Sequence, residues 1–183
     1  MVKKTNVTLL DIYPKYSAPD GGGDKGTAHS YIKIYSEMLK PKADLLEIGV
    51  WEGHSLAMFS EYFTGLVLGL DIDLGRLRYE VPAVNCNASN AQQVAEALGN
   101  KKFDYIIDDG SHRISDQLAS LEILWDYLKP GGIYFVEDVQ SDQAILSLEE
   151  AIAKLKKKRH WVWDMRENKG RRDDILIAVQ KVD

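Results

Sequence analysis

The chain has 183 residues, 45% of them apolar and 28% charged, with a formal net charge of -5. That length suits one domain with a full core and is short for two, and the acidic balance argues against a polyanion-binding surface, so nucleic acid is not an expected partner. No apolar run is long enough to span a bilayer, nothing apolar is sustained after Lys3 and Lys4, and the single cysteine, Cys86, cannot close an internal disulfide; a soluble, cytoplasmic protein with no membrane partner is expected.

Residues 1–26 read as an N-terminal arm. Its polar stretch PKYSAPDGGGDKG contains three consecutive glycines, which cannot hold one conformation cheaply, so the segment is either a linker or a lid that orders over a ligand. TAHSYIKIYSEML, 27–39, reads as a helix. From Asp44 onward strand-like and helix-like segments alternate: strand LLEIGV, helix SLAMFSEYF after Gly53, strand LVLGLDID, short strand AVNCN, and helix AQQVAEALG, capped by Ser89 or Asn90 and stopped at Gly99. The pattern continues with strand FDYIID, helix ISDQLASLEILWDYL ended by Lys129, Pro130 and Gly131, strand GIYFVEDV and helix AILSLEEAIAKLKKK. Two closing strands, HWVWDMRE and DILIAVQKV, follow, joined by a turn at NKGRR. Alternation with near-continuously apolar strands predicts an α/β fold: a doubly wound, mostly parallel sheet with helices on both faces and a closing antiparallel strand, spanning 27–183. The basic run KLKKKRH sits at a helix end, where cations complement the macrodipole.

In such sheets ligands bind beyond the carboxyl ends of the strands, where strand order reverses. The loops after LLEIG, GLDID, IIDDG and FVEDV therefore matter most, and each carries an acidic residue. In the first, Glu47-Ile-Gly49-Val-Trp51-Glu-Gly53-His-Ser55, Gly49 and Gly53 let backbone approach a ligand, Gly53 opens a helix and Trp51 is placed to wall the site. It is not a G-x-G-x-x-G fingerprint, which disfavours nicotinamide and flavin cofactors. Asp71 ends the second strand, where a carboxylate can accept from both hydroxyls of a ribose, and without phosphate-cradling glycines a nucleoside fits better than a nucleotide. Asp109 and His112 lie three apart at a helix entrance, while Glu137 and Asp138 end the next strand. Three carboxylates from adjacent loops form the hard-oxygen set that Mg²⁺ accepts, and a neighbouring imidazole, which titrates near neutrality, can act as general base. That combination suits methyl transfer to a hydroxyl.

The ordered stretches LLEIGVWEGHS, LDID, NAS and LKPGGIYFVED resemble the motifs of class I S-adenosylmethionine-dependent methyltransferases over residues 44–183, which implies a Rossmann-like sheet. The resemblance implies that Glu47 and Gly49 face the methionine part of the cofactor, with Trp51, Gly53 and Ser55 in the same loop, Asp71 the ribose, and Asn87 and Ser89 the adenine side. Asn87 stands where Asp is commoner. DKGTAHSY, IDDGSH and VED together resemble a narrower group, the macrocin and mycinamicin-type sugar O-methyltransferases, with kinship to cephalosporin hydroxylase-like proteins. That resemblance implies S-adenosylmethionine and Mg²⁺ as cofactors, Asp109, Glu137 and Asp138 as metal ligands, and His112 as catalytic base. It also implies a cofactor-enclosing role for Asp24, Lys25, Gly26 and Thr27. The chain has little beyond the core, which leaves a macrolide substrate and the family's oligomeric state open.

Periodicity does not choose between Asp108 and Asp109; one can cap a helix or face the cofactor while the other binds metal, and the motif match favours Asp109 as ligand. His112 could instead cap or pack, His54 could touch ligand or solvent, and His29 and His160 read as structural or solvated. The expectation is an O-methyltransferase acting on a small hydroxylated acceptor, a sugar or glycoside, in a protein compatible with a homo-oligomer. The rival is a non-catalytic S-adenosylmethionine-binding module or a cofactor-degrading protein.

Overall fold

Four residues, Leu45–Ile48, form β1, and all four are buried, because the strand lies mid-sheet with a helical layer over each face. The computed structural model describes residues 7–17, 23–156 and 158–182. In chain order its elements are α1 (Leu9–Tyr16), α2 (Tyr31–Met38), β1, α3 (His54–Tyr62), β2 (Val67–Asp71), β3 (Ala83–Asn85), α4 (Ala91–Leu98), β4 (Phe103–Asp108), α5 (Ile114–Leu124), β5 (Leu128–Val136), α6 (Asp142–Lys154), β6 (Lys158–Asp164), α7 (Arg166–Lys169) and β7 (Ile175–Lys181). The seven strands form one sheet in the order β3-β2-β1-β4-β5-β7-β6. Pairing is parallel through β5, and β7 runs antiparallel between β5 and β6. The expected fold class is thus the observed one, with strand order reversing between β1 and β4.

Side chains of a strand alternate between faces, and this divides the core in two. Leu45, Tyr105, Ile107, Phe135, Leu176 and Ala178 pack with α1, α2 and α3. Leu46, Ile48, Ile106, Tyr134, Val136 and Ile177 pack with α4, α5 and α6 on the other side. Burying each such aliphatic or aromatic side chain contributes about 1.5–3 kcal/mol, which is why these strands lack the polar-out alternation of a half-exposed sheet.

Several local expectations shift. The arm contains α1, whose Thr8 and Asp11 form a reciprocal capping box and whose Leu9, Ile12 and Tyr16 are buried; the residues flanking Pro14 hide this from a reading based on polarity. Residues 18–22 lie outside the described residues, and the lid expectation falls partly on them. Helix α2 begins at Tyr31 rather than Thr27, because residues 25–30 turn: the amide of His29 donates to Asp24 O, that of Ile32 to Lys25 O, and Ser30 donates through N and Oγ to Asp174. Asn90 is the cap of α4. Lys129, Pro130 and Gly131, expected to end a helix, instead belong to β5, with a register irregularity against β4 between Phe103 and Tyr105. Among the described residues no helix is long and apolar enough to cross a membrane.

Candidate active site at the carboxyl edge of the sheet

A cavity of about 640 Å³ opens where β1 and β4 diverge, lined by the loops after β1, β2, β3, β4 and β5; that size is ordinary for a small-molecule site. Gly49 makes the junction possible. Its φ is +82°, and a Cβ there would fall 2.0 Å from the Asp109 carbonyl oxygen, so the β1 and β4 loops touch backbone to backbone. Among the described residues, those other than glycine with positive φ, Trp51 (51°), His112 (59°) and Asp138 (54°), all line the same cavity. Left-handed backbone at such residues costs about 1–3 kcal/mol each and persists where surrounding contacts over-determine it, commonly at functional sites.

At one end of the cavity, Asp71 Oδ2 accepts from the amides of Val50 (2.7 Å) and Trp51 (2.9 Å), and Oδ1 from Asp73 (2.9 Å). This carboxylate ties the β1 and β2 loops together and still lines the cavity. Trp51 is 60% exposed with the Arg76 guanidinium 4.2 Å over its ring. Asn87 accepts from the amide of Ser89 through its own side chain, and both line the cavity beside Ser55 and Gly49. Gly53 starts α3 at φ +88° just behind that wall. His54 is held by Tyr79 and Glu52 at 3.0 and 3.3 Å. Thr27 is exposed, its hydroxyl turned to Gly23 O at 3.3 Å, and Lys25 points into the protein; neither lines the cavity, whereas Gly23 and Asp24 do.

At the other end, strand parity separates the two aspartates that the sequence could not. Asp108 falls on the α5 face, 3% exposed, where Ser120 Oγ, Tyr134 OH (3.1 Å) and the Gly110 amide (3.3 Å) donate to it; burial pushes its pKa up to about 6. Asp109 falls on the face that also carries Glu47 and Glu137. Asp109, His112 and Asp138 bring ligand atoms within 4.8 Å of one another. Glu137, expected as a third metal carboxylate, is outside that group: its oxygens accept from Lys25 Nζ at 2.8 and 2.9 Å and from Tyr35 OH at 2.6 Å. Asp138 Oδ1 accepts from Tyr31 OH at 2.8 Å and lies 3.1 Å from His29 Nδ1, while its Oδ2 is 3.6 Å from His112 Nε2. His112 Nδ1 is buried without a hydrogen-bond partner among the described residues.

Glu47, Asp109 and Glu137 are three carboxylates gathered around the Lys25 ammonium, and Asp138 stands beside Asp109 in the group with His112. Burial, partly offset by Lys25, raises the Glu47 pKa to about 7; burial together with the Asp109 charge raises Asp138 to about 7 and lifts Glu137 well above the usual range. Burial alone would lower Lys25, but Asp109 and Glu137 outweigh it and keep the ammonium protonated. Such a cluster retains protons unless a cation offsets the charge, and Asp109 with Asp138 fits the one or two carboxylates by which Mg²⁺ is usually held.

Tyr31 and Tyr35 were not singled out by sequence, and His29, read there as structural or solvated, is buried 3.1 Å from Asp138. Tyr31 and Tyr35 stand four apart on one face of α2, a visible signal, but their targets lie more than a hundred residues away.

A doubly wound sheet with a cavity at its switch point, an acidic residue ending β2 and no phosphate loop is the architecture of a Rossmann-like nucleoside-binding domain. The chain belongs to the methyltransferase domain family, whose model matches residues 46–139. It is 36% identical over 137 residues to an 8-demethyl-8-alpha-L-rhamnosyl tetracenomycin-C 2'-O-methyltransferase of Streptomyces olivaceus, covering 66% of this chain and 36% of that protein. It is 30% identical over 145 residues to the mycinamicin VI 2''-O-methyltransferase of Micromonospora griseorubida, covering 72% and 36%. The chain thus spans about a third of the length of these curated relatives. Among solved structures, the MycE methyltransferase of the mycinamycin pathway, in complex with Mg, S-adenosylhomocysteine (SAH) and mycinamycin VI, shares the fold with a TM-score of 0.71 at 22% identity. That match covers 96% of this chain and 54% of that one.

Proposed function

We propose that the chain is the cofactor- and metal-binding domain of an S-adenosylmethionine- and Mg²⁺-dependent O-methyltransferase acting on a hydroxyl of a small acceptor, a sugar or glycoside. The observation that carries the reading is one cavity with Asp71 at one end and the Asp109, His112 and Asp138 group at the other. The relatives' names, both O-methyltransferases and one of them of a rhamnosyl compound, support the acceptor class.

Asp71, Asn87 and Ser89 would bind the nucleoside, and the Gly49 backbone would approach the methionine part. Glu47, which the resemblance places beside the methionine part, is fully buried outside the cavity lining and has Oε1 3.7 Å from the Lys25 ammonium, so it acts on that loop from behind rather than on the ligand. Asp109 and Asp138 would hold the divalent ion. When bound, the ion supplies Lewis acidity to the acceptor hydroxyl. His112 receives the hydroxyl proton, and Asp138, 3.6 Å away, steadies the imidazolium that results. Gly49 keeps the β1 and β4 loops in contact, so that cofactor and acceptor groups share one frame, the proximity such a transfer needs. The chain's net charge of -5 agrees with a small-molecule acceptor rather than a polyanion.

The test is transfer of labelled methyl from S-adenosylmethionine to a panel of sugars and glycosides, with and without a chelator. Acceptor-dependent formation of SAH that falls at least about tenfold on chelation, the loss of one catalytic contribution of a few kcal/mol, is expected. Breakdown of cofactor without acceptor, or transfer insensitive to chelation, contradicts the reading.

A further inference from the structure

Lys25 is 1% exposed and is the centre of its own cation-binding shell. Its Nζ stands 2.7 Å from Asp109 Oδ2, 2.8 and 2.9 Å from the two oxygens of Glu137, and 3.7 Å from Glu47 Oε1. The three carboxylates come from the ends of the adjacent strands β1, β4 and β5 and share one face, because Glu47 pairs with Ile107, which precedes Asp109 by two, and Ile107 pairs with Phe135, which precedes Glu137 by two. Tyr35 OH, 2.6 Å from Glu137 Oε1, closes that shell from α2. Two observations go beyond acidic residues lying close together. A cation already occupies the point they surround, and Glu47, fully buried, brings Oε1 to 3.7 Å from that cation, too far for a hydrogen bond to complete it.

We propose that Lys25 is a tethered cation filling a second cation position, formed by Glu47, Asp109 and Glu137, beside the divalent-ion position of Asp109 and Asp138. Asp109 belongs to both, so the centre is a two-cation centre in which one ion is a side chain. An ammonium has three donors and no exchangeable ligand sites; it therefore holds Asp109 in place and keeps solvent ions out of the inner position without offering a vacancy to the acceptor. Lys25 is on this account a positioning residue. Its backbone carbonyl accepts from the Ile32 amide at 2.8 Å, so the same residue fastens the segment before α2 to the strand ends.

The inference rests on the proposed function only in taking Asp109 and Asp138 as the neighbouring ion position, and counting ions separates the two. Mn²⁺ is titrated into wild type and Lys25→Met, with bound ion measured by electron paramagnetic resonance and thermal unfolding followed in parallel. Methionine keeps the length of the lysine stem and removes the charge, so three carboxylates are left around an uncharged thioether. The expected result is one more Mn²⁺ per chain in Lys25→Met than in wild type, with a larger rise in melting temperature on adding Mn²⁺. Adding Glu47→Gln to the variant is expected to return the count to that of wild type. A folded Lys25→Met that binds the wild-type number of ions overturns the proposal, as does a variant that stays unfolded at every Mn²⁺ concentration, since an ion would have replaced the missing charge. An extra ion that persists after Glu47→Gln also overturns it. If wild type binds none and Lys25→Met binds one, the tethered cation stands and the Asp109 and Asp138 ion position falls; one ion in each gives the reverse.

Discussion

His112→Asn is expected to lower kcat by about 10²–10⁴-fold, the usual contribution of a positioned general base, while leaving the affinity for SAH unchanged. His112 lines the cavity on the loop after β4, with Nε2 3.6 Å from Asp138 and Nδ1 buried without a partner. A buried ring nitrogen left without a hydrogen bond costs about 1–3 kcal/mol, which is tolerable where a bound acceptor completes the bond. Asparagine is the informative replacement because His112 sits at φ +59°. Asparagine is among the residues that enter the left-handed region most readily, so the loop keeps its course while the base is removed. Steady-state kinetics with an acceptor from the panel provides the measurement. Turnover at the wild-type rate would mean that the proton leaves by another route and that His112 packs or caps.

The second large effect is structural. Gly49→Ala is expected to destabilise the fold and abolish binding of SAH together. At φ +82° an alanine costs about 1–2 kcal/mol. Its Cβ would also meet the Asp109 carbonyl oxygen at 2.0 Å and the Gly110 Cα at 2.9 Å, both backbone, and overpacking of this kind adds about 1–3 kcal/mol. The strand cannot step aside, since the Gly49 amide donates to Leu70 O at 2.9 Å and the Asp109 amide to Ile48 O at 2.9 Å. The β4 loop therefore moves, carrying Asp109 and His112 with it. The fall in melting temperature is expected to be roughly 10 °C, taking a few kcal/mol at the usual scaling for a domain of this size. A variant with wild-type melting temperature and wild-type affinity would mean that the junction is softer than its backbone contacts imply.

The fold was legible because its signals are local and repeat. Apolar runs such as Leu45–Ile48 and Phe103–Asp108, helices stopped at Gly99, and acidic residues at strand ends each announce an element without reference to the rest. The site was legible as far as one strand end at a time: Asp71, Asp109, His112 and Asp138 all face one cavity. What a sequence does not carry is which face a residue takes once its strand has left the regular pleat. Asp108 and Asp109 are neighbours of like chemistry, and only pairing of Ile48 with Asp108 and of Asp108 with Val136 sends the first beneath α5 and the second to the acidic face. Lys25 illustrates the same limit. Its motif placed it near the cofactor, yet the turn at residues 25–30 drives its ammonium inward between Asp109 and Glu137, contacts spanning 84 and 112 positions. Helix α1 was missed for a smaller reason: Pro14 and the polar residues around it mask three buried positions, Leu9, Ile12 and Tyr16.

In the proposed function, the carboxylates after β4 and β5 form a divalent-ion site next to a cofactor cavity. Calorimetric titration of Mg²⁺ into protein saturated with SAH, on wild type and on Asp109→Asn, tests it most directly. Asparagine keeps the size of the side chain and removes the charge that both the ion and Lys25 face. Saturable binding in wild type that is lost in Asp109→Asn is the predicted result. Absence of Mg²⁺ binding in wild type, or equal binding in both proteins, would contradict the account and leave the acidic cluster as a packing arrangement around Lys25.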